Sequence, residues 1–165
     1  MSVINNTTDL IHLISKWKSA GEKIVFTNGV FDILHLGHVT YLEKASSYGD
    51  RLVVGINNDS SVKRLNKGPE RPINPEHARC SVIAALRCVD VAIIFGEDTP
   101  IELVKSIVPD IIVKGGDYDP EERNPQSKRY IVGSDEVIAG GGRVVAIDLV
   151  NGFSTTDIVT RLQKK

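Results

Sequence analysis

Lys23-Ile24-Val25-Phe26-Thr27, then Asn28-Gly29-Val30-Phe31-Asp32-Ile33-Leu34, then His35-Leu36-Gly37-His38 is the stretch on which the fold turns. The first five residues form a short apolar run, which predicts a buried strand. Asn28-Gly29 predicts a turn. From about His38 to Tyr48 apolar residues recur at helical spacing, and Gly49 ends the helix. The unit is therefore strand, turn, helix, with two imidazoles three residues apart at the helix start. The first turn of a helix has free N–H groups and the positive end of the dipole, which suits phosphate. Gly37 removes a side chain where backbone or histidine must approach that phosphate. Neither GxGxxG nor a Walker loop is present. On spacing alone, incidental histidines in a capped helix and a pair of metal ligands stay open.

Working outward, the same alternation continues. Leu10 to Trp17 predicts a preceding helix, capped within Thr7 to Asp9 and stopped by Gly21. Arg51 to Asn57 is a second strand, followed by a basic, turn-rich stretch from Asp59 to Asn74. Asn74 is placed to cap a helix with Pro75 at its first position, running to near Cys88. Val91 to Phe95 is a third strand. Thr99-Pro100-Ile101-Glu102 has the spacing of a capping box and opens another helix. Ile111 to Lys114 is a fourth strand, and Asp119 to Lys128 a charged, proline-broken mobile loop. Ser134 to Ala139 is a short helix stopped by Gly140-Gly141-Gly142, Val144 to Ile147 a fifth strand, and Ser154 caps a last helix to about Gln163. Five strands alternating with helices predict a Rossmann-like three-layer αβα fold with a five-stranded parallel sheet, one domain spanning 1–165. Ligands in such folds sit beyond the carboxyl ends of the strands, where the strand order reverses.

Composition limits what that site handles. The net charge is −1, so sequence-independent binding to nucleic acid is not expected. No apolar run is long enough to span a membrane, and the polar stretch Met1 to Asp9 lacks the apolar core of a signal peptide. Two cysteines, Cys80 and Cys88, read as small apolar residues in a reducing, cytoplasmic setting, and they are too few for zinc.

Three further clusters follow strands. Asn151-Gly152-Phe153-Ser154-Thr155-Thr156 puts three hydroxyls at a helix start, where they suit an anion or simply cap the helix. In Lys114-Gly115-Gly116-Asp117-Tyr118 the glycines would let a flat ligand approach the backbone. Asp117 would bond a base or ribose there; a plain turn is the other possibility. Lys63, Arg64, Lys67 and Arg71, with Arg79 on the following helix, are candidates for binding substrate phosphate.

Lys23 to Ala45 with its His35-Leu36-Gly37-His38 resembles the cytidylyltransferase-like nucleotidyltransferases, and Ser154-Thr155-Thr156 is similar to that family's second signature. Five segments are similar to the branch that adenylylates D-glycero-β-D-manno-heptose 1-phosphate. They are Phe26 to His35, Ser61 to Leu65, Arg71 to Asn74, Glu97 to Pro100 and Val113 to Tyr118. The resemblance implies an adenylyltransferase that joins AMP from ATP to the sugar phosphate, releasing pyrophosphate, for lipopolysaccharide core synthesis. It implies His35 and His38 as catalytic groups. Val30, Phe31, Gly37, Lys114, Gly115, Asp117, Gly152, Ser154, Thr155 and Thr156 would bind nucleotide. Asp32, Lys63, Arg64 and Arg79 would serve the substrate, Asp32 by orienting a histidine or a lysine. Mg²⁺ would be held mainly through ATP phosphates, with no metal site on the protein, and a homodimer is the family's expectation. Two departures stand out. Leu149 occupies the place of an arginine in the phosphocholine and glycerol-phosphate members, and Asp119 to Val132 is longer than the heptose pattern. A CTP-dependent enzyme for a polyol or amino-alcohol phosphate, and a flavin-phosphate adenylyltransferase, are the alternatives.

Overall fold

The computed structural model describes residues 2–65, 68 and 70–163. In chain order its elements are β1 (Ser2–Ile4), α1 (Thr7–Ser19), β2 (Ile24–Gly29), α2 (Leu36–Ser46), β3 (Arg51–Asn57) and α3 (Asp59–Arg64). Then come α4 (Glu76–Ala84), β4 (Val91–Phe95), α5 (Ile101–Ile107), β5 (Ile111–Gly115), α6 (Ser134–Ala139), β6 (Arg143–Ile147) and α7 (Thr155–Gln163). The strands form one sheet in the order β1-β4-β3-β2-β5-β6, and every pairing is parallel. The α/β class and the five expected strands are all present. The sheet has six strands, though, because Ser2–Ile4 adds itself beside β4 with Val3 opposite Ala92.

Period-two alternation sorts each strand between two cores. Val25, Leu52, Val54 and Val113 point to one face, where Leu42 and Ala45 of α2 and Cys80 and Ile83 of α4 cover them. Ile24, Phe26, Val53 and Ile112 point to the other, under Leu10 and Ile14 of α1, Val104 and Ile107 of α5 and Val137 of α6. Each fully buried side chain of this size contributes about 1.5–3 kcal/mol relative to exposure. Burial pushes the Cys80 thiol up to about 11, in keeping with a packing role.

Local expectations fail where side chains find better partners. Asn6, outside the expected Thr7 to Asp9, caps α1 by accepting from the Asp9 N–H at 2.8 Å. Asn74 does not cap α4; its side-chain amide donates to the Asp32 carbonyl at 2.6 Å, and the helix starts after Pro75. α4 ends at Ala84, so Cys88 lies beyond it. Thr99 makes no capping bond, and Pro100 precedes α5 without one. The stretch after β3 is not all turn: Asn58 caps the six-residue α3 by accepting from the Ser61 N–H at 2.8 Å.

The chain runs β2, β3, β4 to one side, then returns so that β5 lies on the other side of β2. The strand order therefore reverses between β2 and β5. These two strands pair only at Val25–Ile111 and Phe26–Ile112, whereas β2 and β3 stay in register from Ile24 to Gly29. Beyond Phe26 the two strands separate, and a gap opens at their carboxyl ends.

Candidate active site

Tyr41 of α2 fills the root of that gap. Its hydroxyl donates to the Val113 carbonyl at 3.0 Å and accepts from Thr27 Oγ1 at 2.7 Å. Burial pushes the Tyr41 pKa up, so the phenol stays neutral and able to donate. Further out, Lys114 Nζ bonds the side-chain oxygen of Asn28 and approaches its carbonyl at 3.4 Å. Side chains thus bridge what the backbone ladder leaves open. Above them lies a cleft of about 800 Å³ whose walls come from the segments after all five strands from β2 to β6, the 119–132 segment among them.

His35 and His38 stand on one wall, their rings stacked with centroids 3.7 Å apart. His35 caps α2: its Nδ1 accepts from the His38 N–H at 3.4 Å. A nitrogen that accepts carries no proton, so His35 presents its single N–H from Nε2. Burial lowers its pKa below the ordinary 6.5, which favours this neutral form. Phe31 holds a left-handed backbone, φ 47°, and sets its ring edge-on to His38 at 5.2 Å. Val30, Phe31 and Gly37 all line the cleft. A Cβ on Gly37 would lie 3.1 Å from the His35 ring and 3.3 Å from Phe153 Cβ. Gly37 is thus the point where the histidine turn meets the turn before α7. There Ser154, Thr155 and Thr156 line the cleft, and Ser154 Oγ caps α7 by accepting from the Asp157 N–H at 3.0 Å. Gly152 lies outside the cleft lining and supplies the turn, at φ 82°.

Other expected residues serve the scaffold. Arg79 is buried, with 1% of its surface exposed, and does not line the cleft. Its guanidinium donates to the carbonyls of Asn74 (2.9 Å), Val30 (2.6 Å) and Asn57 (2.7 Å) and to the Asp59 carboxylate (2.8 Å). It cannot reach a substrate; it ties the histidine turn to β3 and α3. Asp32 orients neither a histidine nor a lysine. Its carboxylate accepts from Arg71 Nε and from the Ile73 and Asn74 N–H groups at 2.9 Å. Arg64 turns to Asp98 and to the Gly96 carbonyl at 2.8 Å, and exposed Lys63 is likewise absent from the lining. Lys67 lies outside the described residues. Gly115 lines the cleft, but the space over Gly115 and Gly116 is taken by Leu149, 2.7 Å from a Cβ on Gly115. A flat ligand would meet that side chain and not bare backbone. Asp117 is exposed and off the lining. The Asp119 to Lys128 stretch, expected to be a mobile loop, is closed by a backbone hydrogen bond from the Asp119 N–H to the Arg129 carbonyl at 2.9 Å.

Tyr41, Lys128 and Tyr130 went unnoticed in the sequence. Tyr41 had a usable signal: it falls three residues after His38, on the buried face of an amphipathic helix, where a phenol needs a partner. Lys128 and Tyr130 had none, because their direction depends on how their loop folds back. Among the described residues no group of three His, Cys, Asp or Glu could hold a metal ion. The cleft carboxylates Asp32 and Asp98 are matched to Arg71 and Arg64.

A parallel sheet with paired helix N-termini and stacked histidines at its switch point defines an α/β nucleotide-binding enzyme. Residues 26–161 match the model of the cytidylyltransferase-like family, and the chain belongs to it; it is a nucleotidyltransferase. It is 53% identical over 142 residues to the bifunctional protein HldE of Syntrophotalea carbinolica, covering 86% of this chain and 27% of that one. With HldE of Citrobacter koseri the identity is 49% over 156 residues, 94% of this chain and 31% of the relative. The chain thus spans about a third or less of these relatives. The lipopolysaccharide core biosynthesis protein from Thermoplasma volcanium superposes with a TM-score of 0.59 at 32% identity, covering 79% of this chain and 98% of that one. Pantothenate synthetase from Thermus thermophilus shares the fold, with a TM-score of 0.63 at 15% identity over 99% of this chain and 70% of its own. No helix among the described residues is long and apolar enough to cross a membrane.

Proposed function

We propose that the protein transfers AMP from ATP to D-glycero-β-D-manno-heptose 1-phosphate, giving ADP-heptose and pyrophosphate for lipopolysaccharide core assembly. The observation that carries this reading is the meeting of two helix N-termini at Gly37 and Phe153, with the stacked histidines beside them. The likeness to HldE and to a lipopolysaccharide core biosynthesis protein supports the substrate class.

In the reaction an oxygen of the sugar phosphate attacks the α-phosphorus of ATP. The bond from that phosphorus to the bridging oxygen breaks, and its electron pair leaves with pyrophosphate. The nucleophile is already anionic, so no general base is needed. That suits a cleft whose two carboxylates are both paired with arginines. What the reaction needs is alignment and donors for the charge that gathers on phosphate oxygens. His35, from Nε2, and His38 supply donors at the α-phosphate. Ser154, Thr155, Thr156 and the free N–H groups of α7 hold the β- and γ-phosphates. Mg²⁺ would ride on the triphosphate and neutralise part of its charge.

Pyrophosphate release tests the reading, with ATP or CTP against sugar 1-phosphates, polyol phosphates and flavin mononucleotide. ATP with the heptose phosphate is the expected pair. A tenfold or greater preference for CTP in kcat/KM, or turnover confined to a flavin or polyol phosphate, would sink it.

A further inference from the structure

Among the described residues, the cations on the cleft wall are Arg71, Lys114 and Lys128, and the carboxylates are Asp32 and Asp98. Arg71 is spent on Asp32, and Arg64 reaches Asp98. Lys114 is bonded to Asn28 across the strand gap. Lys128 makes no hydrogen bond or ion pair with any described residue, although it lines the cleft. Its loop is built to hold it there. The Asp119 N–H donates to the Arg129 carbonyl at 2.9 Å, and the Arg129 guanidinium meets the Asp119 carboxylate at 3.1 Å. Tyr130 donates its hydroxyl to Asp135 at 3.0 Å, and Ile131 is fully buried in the core. Arg129 is therefore turned back onto its own loop, while its neighbours on either side, Lys128 and Tyr130, line the cleft.

We propose that Lys128 binds the phosphate of the acceptor, with Tyr130 as the wall against its sugar, so that the 119–132 segment selects the second substrate. This rests on the nucleotidyltransferase reading. The reaction brings two phosphorylated molecules into one cleft. Helix N-termini and histidines serve the triphosphate, and the monoester needs its own cation, because two like-charged phosphates must approach each other. An ammonium with three rotatable donors is a common point-charge partner for phosphate. The Tyr130 hydroxyl is engaged with Asp135, so what it offers the acceptor is its ring.

The experiment measures KM for acceptor and nucleotide separately, in wild type, Lys128→Gln, Lys128→Arg and Tyr130→Ala. It uses ATP and CTP with a panel of sugar 1-phosphates and polyol phosphates. Lys128→Gln should raise the acceptor KM about tenfold to a hundredfold and leave the nucleotide KM within about twofold, with Lys128→Arg recovering part of the loss. Tyr130→Ala should change the ranking of acceptors. If the working acceptor is not a heptose phosphate but Lys128→Gln still raises its KM selectively, the heptose assignment falls and this one stands. An acceptor KM unchanged in Lys128→Gln, or a nucleotide KM raised equally, overturns it. A wild type that turns over no phosphorylated acceptor removes both.

Discussion

The two turns that meet at Gly37 are built in opposite ways. The turn between β2 and α2 is braced from below. Arg79 grips the Val30 carbonyl, Asp32 pins residues 71–74, and Phe31 backs His38. Val30, Phe31 and Asp32 are all buried. The turn between β6 and α7 has the Ser154 cap and the contact of Phe153 with Gly37, and Leu149, Phe153 and Leu162 are 58%, 44% and 67% exposed. Groups that must match a transition state gain from being fixed beforehand, since nothing has to be reorganised during reaction. Groups that hold a leaving pyrophosphate must also let it go. On the proposed reading, the difference makes the braced turn the template and the looser one the clasp.

Breaking the braced side should cost most. Arg79→Met leaves two buried carbonyls, a part-buried one and Asp59 without their donor, and stability should fall by about 3–5 kcal/mol. Denaturant melts with both kinetic constants measure it, and an unchanged midpoint would show that the brace is idle. Next is His38→Ala, expected to lower kcat at least about a hundredfold while ATP affinity stays within about tenfold, the scale of one lost transition-state donor. Steady-state kinetics with calorimetry decides, and near-normal turnover in a folded variant removes the catalytic role.

The clasp makes a smaller, more selective forecast. Thr155→Ala with Thr156→Ala should reduce ATP turnover about tenfold to a hundredfold, or roughly 1.4–2.7 kcal/mol, and barely alter AMP affinity. Equal losses for ATP and AMP would contradict the pyrophosphate assignment. A pH experiment sharpens the contrast. The folded pKa of His35 lies below its ordinary 6.5, so its neutral form adds stability that is complete above 6.5 and fades as pH falls through the folded value. Melting temperatures of wild type and His35→Gln should therefore draw closer as the medium is acidified, and parallel curves would refute this. Smallest of all, Leu162→Ser should change stability by under about 0.5 kcal/mol, as befits an exposed residue on the loose helix.

Most of the fold could be read from periodicity, because strands buried on both faces are nearly continuous apolar runs. β1 could not: three residues at an edge have no period, and their pairing depends on β4 being there first. The placement of the histidines and the Ser154 turn at helix starts beside the cleft was legible, because the strand, turn and helix order positions them there. That Lys63, Arg64 and Arg79 lie off the cleft lining was not legible, for the opposite reason. A charge in sequence has no direction, and Arg79 turns inward only because three carbonyls converge on it. Asp32 sits in the signature stretch itself, yet its partners lie some forty residues downstream, beyond the reach of any local pattern.

The early parting of β2 and β5 places stability and work in competition. A parallel pair ordinarily keeps adding rungs, and here two register positions are followed by a hydroxyl of Tyr41 set between the strands. Substitutions that let the strands close would complete the sheet and shut the cleft. A screen that rewards only resistance to heat would thus favour chains that are sturdier and cannot turn over substrate.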